Sequence, residues 1–334
     1  MNMKKIAILI LLTFAAASLF AQGAKEVSSA DKPIKIGISN IITHPALDAV
    51  EKGIQDVLAE EGVNAVFDLQ NANGDSSTVS SISQKFRADK VDIAVGIATP
   101  TAQSLANAIK DVPVIYAAVT DPVDAGLVDS YEKGLNNVTG VSDLTPVEAQ
   151  VKLLRDIAGV TKLGHVYSSS EANAVLLAEM AKKAAEKLGM EFISTAVTNT
   201  SEVRQAAQAL MNKVDGLYVS TDNTVVSAMP SLVDVANQYK VPVLTSDPTS
   251  SEGLDVLVAW GFDYYKMGRA TGHLIKRIID GEKPADIGTV FMTDPTDIEL
   301  WINLDSAKYL GITVPEDILS EASVVIENGV KKTK

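Results

Sequence analysis

Six short polar words punctuate this chain, each closing an apolar run: Asn40…Thr43-His44-Pro45, Thr99-Pro100-Thr101, Thr120-Asp121-Pro122, Ser168-Ser169-Ser170, Thr221-Asp222-Asn223-Thr224 and Ser246-Asp247-Pro248. Hydroxyls and free helix N-termini suit a carboxylate. Short acids such as Asp121, Asp222 and Asp247 suit an ammonium. A small zwitterion satisfies both, with its carboxylate on the helix starts and its ammonium near Asp222. Any one of these words also reads as an ordinary helix cap. Their recurrence at predicted strand ends turns the collective reading towards a ligand crevice, because open α/β sheets bind ligands at the carboxyl ends of their strands.

Catalysis is the less economical reading. The chain has three histidines and no cysteine. His165 falls inside a predicted strand and His273 in the middle of a predicted helix, where packing or surface roles are the default. His44 lies in a loop and can face a ligand. No nucleophile elbow, phosphate-binding glycine loop, dinucleotide fingerprint or H-E-x-x-H is present. Without cysteine there is no thiolate metal site and no disulfide framework. No cofactor or metal is expected. Among the sparse aromatics, Trp260 and Phe262 fall at a predicted crossing between halves, where core packing is the default and stacking on a flat ligand is second.

The elements that must position these words repeat in order. Val91–Ile97 is a Val/Ile-rich run that reads as a strand buried on both faces. Thr99 follows as a predicted N-cap, with Pro100 opening a helix to Ile109. The order strand, polar word, helix runs from about 34 to 141 and begins again at Thr145-Pro146, continuing to about 258. Val138–Val141, Leu257–Phe262 and Thr289–Met292 read as strands crossing between the halves. No Gly/Ser/Pro-rich joint separates them. The fold expected is α/β: two Rossmann-like lobes with parallel sheets joined by about three crossing strands.

Length and composition agree. The chain's 334 residues suggest two domains, and 46% hydrophobic content supplies ample core. A formal net charge of −13 argues against nucleic acid or an anionic membrane as partner. Met1–Ala24 reads as a cleaved signal peptide: Lys4 and Lys5, an apolar stretch to Phe20, then small residues at Ala21-Gln22-Gly23. The mature chain is expected in a periplasmic or extracellular space, and without cysteine it is not a lipoprotein.

The words H-P-A-L-D-A-V-E-K-G-I (44–54), V-G-I-A-T-P-T-A-Q (95–103), A-A-V-T-D-P (117–122), N-V-T-G-V-S-D (137–143), Y-S-S-S-E-A-N (167–173) and T-D-N-T (221–224) together resemble a family. It is the ABC-transporter substrate-binding proteins of the tryptophan/tyrosine-binding type, with the type I periplasmic-binding-protein fold. The resemblance runs from about residue 34 to the C-terminus. It implies three crossings, a ligand held at the hinge, an amino acid, aromatic by preference, as cargo, and delivery to a permease with a cytoplasmic ATPase. By matching position it implies Thr99, Thr101, Ser168, Ser169, Ser170, Asp222 and Asn223 as ligand contacts, with Thr120 and Asp121 next. Asn40, His44, Asp247 and Trp260 complete the candidate set from the residues themselves. Trp260 and Phe262 depart from the smaller aliphatic residues expected at the second crossing. The expected lobes are 34–142 with 263–288 and 143–260 with 291–330, after the 1–24 leader, in a monomer. The rival readings are a receptor for a nucleoside-type solute and a secreted two-lobe α/β enzyme on a small polar substrate.

Overall fold

The apolar run at 91–97 becomes β3 (Ile93–Ile97), buried at every position. In the computed structural model, which describes residues 32–334, β3 pairs with β1 (Ile34–Asn40) on one side and β4 (Val114–Val119) on the other. Beyond β1 lies β2 (Ala65–Asn71). Beyond β4 lie β5 (Val138–Ser142) and β11 (Val290–Phe291), completing a six-stranded parallel sheet. The expected leader lies outside the described residues.

A second sheet of eight strands carries, from edge to edge, β7 (Glu191–Val197), β6 (Lys162–Ser168), β8 (Gly216–Val219), β9 (Val243–Thr245), β10 (Val258–Phe262), β12 (Ile298–Asn303), β13 (Val324–Glu327) and β14 (Val330–Thr333). Pairing is parallel as far as β10, after which β12 runs antiparallel to β10 and β14 antiparallel to β13. The sequence reading missed β12 and β14. β12 reads I-E-L-W-I-N, with Glu299 interrupting it, and its strand character comes from pairing along β10.

Helices cover both sheets. α1 (Pro45–Glu60), α2 (Ser76–Ala88), α3 (Thr99–Ala108) and α10 (Tyr264–Ile279) belong with the first. The second carries α4 (Val147–Ala158), α5 (Ala172–Lys187), α6 (Val203–Met211), α7 (Asn223–Ser227), α8 (Met229–Gln238), α9 (Pro248–Ser251), α11 (Leu304–Leu310) and α12 (Glu316–Glu321). Three starts differ from expectation. Thr99 is the first helical residue of α3 rather than its cap; the cap position is Ala98, at φ 77° and ψ 159°. α4 begins at Val147 because Pro146, at φ −77° and ψ 71°, is the centre of a tight turn in which Val147 N–H donates to the Thr145 carbonyl, and the Thr145 hydroxyl is bonded to Gln150 instead. The stretch over 225–239, expected to be helical with a break or start at Pro230, divides at Ala228 into α7 and α8, with Pro230 the second residue of α8.

The chain passes between the halves after β5, after β10 and after β11. Phe262, the last residue of β10, packs in the core of the first half. α1 and α10 lie unusually close because glycines face each other across the contact. A Cβ on Gly268 would come within 2.2 Å of the Val50 carbonyl oxygen, and one on Gly53 within 2.4 Å of that of Tyr265. Backbone cannot yield as a flexible side chain can. Gly268→Ala is therefore expected to destabilise the first half by about 2 kcal/mol through overpacking, read as a lower thermal midpoint. Wild-type melting would show that the two helices part easily.

Candidate functional site

The carboxyl ends of the first sheet bring together Ser39, Asn40, Thr120 and Asp143, with His44 and Thr99 at the starts of α1 and α3; all are buried. Asn40 steadies its own turn, its side-chain oxygen accepting from Ile42 N–H at 3.3 Å. The Thr101 hydroxyl is spent on its own helix, donating to the Ile97 carbonyl at 2.6 Å. Thr120 lies beside Asp143, and its carbonyl accepts from the Ser142 hydroxyl at 2.8 Å. α1 and α3 both begin without a cap from their own N-cap side chain. At α1 Pro45 has no N–H and the Ala46 N–H is taken by the Ser250 hydroxyl, so it is at α3 that the first N–H groups remain open to an anion.

The matching edge of the second sheet supplies Ser168, Ser220, Thr221, Asp222, Asn223 and Asp247, again all buried. Asp222 holds this edge together. One oxygen accepts from Val225 N–H at 3.0 Å, capping α7, and the other accepts from Ser168 N–H at 2.5 Å. Glu171 braces the same loop: it accepts from the Asn223 amide at 2.5 Å, and from Thr224 N–H at 3.0 Å and the Thr224 hydroxyl at 2.7 Å. Asp247 caps α9 through Ser250 N–H at 2.9 Å.

The two edges face each other. Ala46 N–H at the start of α1 donates to the Ser250 hydroxyl at 3.2 Å, and His44 Nδ1 lies 3.4 Å from the same oxygen. His44 also sits beside the Asn223 amide. At the crossings, the Tyr264 hydroxyl donates to Asp143 at 2.9 Å.

Burial dominates the electrostatics. It pushes Asp143 and Asp247 up to about 6 and lowers His44 to about 4. Asp222 is also raised, first by burial and then by the neighbouring Glu171. Among the described residues no lysine or arginine is buried. Several buried polar atoms on these edges have no hydrogen-bond partner among the described residues: Ser39 Oγ, His44 Nε2, Thr99 Oγ1 and Asp143 Oδ1 from the first crossing back, and Asn173 Oδ1, Ser220 Oγ and Thr221 Oγ1 from the second half. Such atoms are rare in folded proteins. Their concentration on two facing edges marks a surface built to receive polar groups. Among the described residues no group of three or more His, Cys, Asp or Glu is placed to hold a metal.

Other candidates sit elsewhere. Ser169 and Ser170 are exposed, lining with Glu171 and Asp124 a pocket of about 300 Å³ where the two halves meet. Their hydroxyls bond to Val197 O and Ser168 Oγ. Asp121 caps a turn through Val123 and Asp124 N–H groups and accepts from the Tyr131 hydroxyl at 2.8 Å. Trp260 faces outwards, lining a surface groove with Ala149, Leu153, Pro315 and Ile318. Trp260 also packs against the second half's core and Phe262 sits in the first, the packing role read as the default for both rings.

Sequence reasoning passed over Ser39, Ser220, Glu171 and Asp143. Ser39 and Ser220 lie at the strand tips one residue before the polar words. Glu171 and Asp143 stood inside quoted motifs, but nothing local in the sequence shows that one braces Asn223 and the other is left with a free oxygen.

Two sheets offering polar strand tips to a shared gap define a two-lobe solute-binding protein. The model of the family "ABC transporter substrate binding protein" matches residues 35–326, and the chain belongs to that family. The "Tyrosine-binding protein" of Clostridioides difficile (strain R20291) is 38% identical over 296 residues, covering 87% of this chain and 84% of that one. A crystal structure from Streptococcus pneumonia described as an ABC domain in complex with L-Trp is 40% identical, covers 88% of this chain and 100% of that one, and superposes with a TM-score of 0.83. The ligand-free, open structure of a substrate binding protein with adhesive properties from Clostridium difficile is 37% identical, covers 85% of this chain and 96% of that one, and has a TM-score of 0.63. The fold is that of type I periplasmic binding proteins.

Proposed function

We propose that this chain is the extracytoplasmic receptor of an ABC importer, exported by its 1–24 leader, and that it holds an aromatic amino acid between its lobes for delivery to a membrane permease with a cytoplasmic ATPase. The observation that carries this reading is the set of buried, unpartnered polar atoms on both facing edges. The uncapped start of α3 at Thr99 suits the carboxylate. The printed cargoes of the relatives, tyrosine and L-Trp, point to an aromatic side chain. The ligand is held and released unchanged.

Lobe closure is part of the same reading. The moving units are those expected from the sequence, 34–142 with 263–288 and 143–260 with 291–330, except that β11 pairs with β5 and so moves the boundary past Phe291 into the first unit. At nearly equal identity the chain superposes better on the L-Trp complex than on the open, ligand-free relative. The contacts of His44 and Ala46 with Ser250 are those that closure would make.

Titration calorimetry of the purified chain against L-tryptophan, L-tyrosine, L-phenylalanine and a nucleoside panel tests the cargo. Saturable binding of at least one aromatic amino acid, with nucleosides silent, is expected. Nucleoside binding alone would replace this reading with the rival receptor.

A further inference from the structure

Building on an amino acid as cargo, we propose that Asp143, at the first crossing, receives the ligand's ammonium group and makes the site selective for α-amino compounds. The sequence reading gave that role to Asp222, yet both Asp222 oxygens accept from lobe backbone, at Ser168 and Val225. Glu171 is committed to Asn223 and Thr224, and Asp247 caps α9 with one oxygen, its other not being among the buried atoms left without a partner. Asp143 differs from all three. It is 4% exposed; the Tyr264 hydroxyl fixes one oxygen, the neutral Thr120 hydroxyl lies beside the carboxylate, and Oδ1 has no hydrogen-bond partner among the described residues.

A carboxylate oxygen only accepts, so a buried one without a donor is a standing cost unless a donor arrives. Among the described residues no lysine or arginine is buried there to supply one with a positive charge. The titratable groups facing Asp143 are Tyr264 from α10 and Asp247 before α9, with Tyr218 from β8 behind Tyr264; all are neutral or acidic. The missing cation therefore belongs to the ligand. Asp143 follows β5 directly and Tyr264 follows β10, so an ammonium bound there touches two of the three crossings at once. Ligand capture and the hinge are joined at one carboxylate.

The test uses the full chain, wild type and Asp143→Asn, titrated at pH 7 with L-tryptophan, L-tyrosine, indole-3-propionate (no ammonium) and tryptamine (no carboxylate). Wild type is expected to prefer L-tryptophan over indole-3-propionate by about 100-fold or more, the scale of a lost buried charged hydrogen bond. Asp143→Asn is expected to erase most of that preference by weakening L-tryptophan and tryptamine while leaving indole-3-propionate within a few-fold. A general structural defect would weaken all four ligands together and overturn the assignment. So would an Asp143→Asn chain that keeps wild-type affinity for L-tryptophan, or a wild type indifferent to the ammonium. A wild type that takes neither L-tryptophan nor L-tyrosine overturns the cargo reading first, and this assignment with it.

Discussion

Asp222→Ala is expected to lower the thermal midpoint of the ligand-free chain by roughly 5–10 °C, at about 3–4 kcal/mol of lost stability. The substitution leaves Ser168 N–H and Val225 N–H without their acceptor in a place water does not reach. Each abandoned buried donor costs about 1–3 kcal/mol. Asp222→Asn should fall between the variants, because its amide oxygen still caps α7 while its amide nitrogen opposes the Ser168 N–H. Differential scanning calorimetry without ligand measures both. The contrary result is informative: an unchanged midpoint with collapsed affinity for L-tryptophan would return Asp222 to the ligand, as its sequence position suggested. The structure favours stability because this side chain ties the end of β6 to the start of α7, on which the second sheet's polar edge is mounted.

The difference between the two aspartates shows what a sequence of this kind reveals. The lobes were legible because their central strands announce themselves by burial. Ile93–Ile97 and Val114–Val119 are buried throughout, and an apolar run of that length between helical periods has few other meanings. The crossings were legible from order and from the lack of a loose joint. The polar strand tips were legible as a class, since the end of each strand faces the gap whichever residue stands there. Allocation within the class was not. Whether a Ser/Thr/Asp word caps its own helix or turns to a ligand depends on partners distant in sequence, and Glu171 to Asn223 or Asp143 to Tyr264 are contacts across 52 and 121 positions. The placement of Trp260 was illegible for a related reason. A strand has two faces, and the choice between gap and outer groove was made by α4 and α12, which the local pattern of V-A-W-G-F does not mention.

Asp143→Asn should be more stable than wild type at neutral pH while binding worse. Burial holds the Asp143 carboxyl at about 6 in the folded chain, against about 3.9 for an unfolded aspartate. A raised folded value means that its contribution to stability is fully present below about pH 4 and is lost as pH rises through 6. A gap of about two pKa units corresponds to about 3 kcal/mol, all of it removed when the group cannot ionise. The midpoint difference between variant and wild type should therefore be small near pH 4, grow to pH 6 and then level off. Wild-type melting alone would hide this. His44 and His165 are both lowered to about 4 by burial, so their stability is present above about pH 6.5 and is lost as pH falls, opposing Asp143 and Asp247 over the same range. The subtraction cancels the histidines and Asp247, which both chains share. A difference that is flat from pH 4 to 8 would mean that Asp143 ionises freely when folded, and a buried carboxylate without a cation would no longer need the ligand's ammonium to complete it.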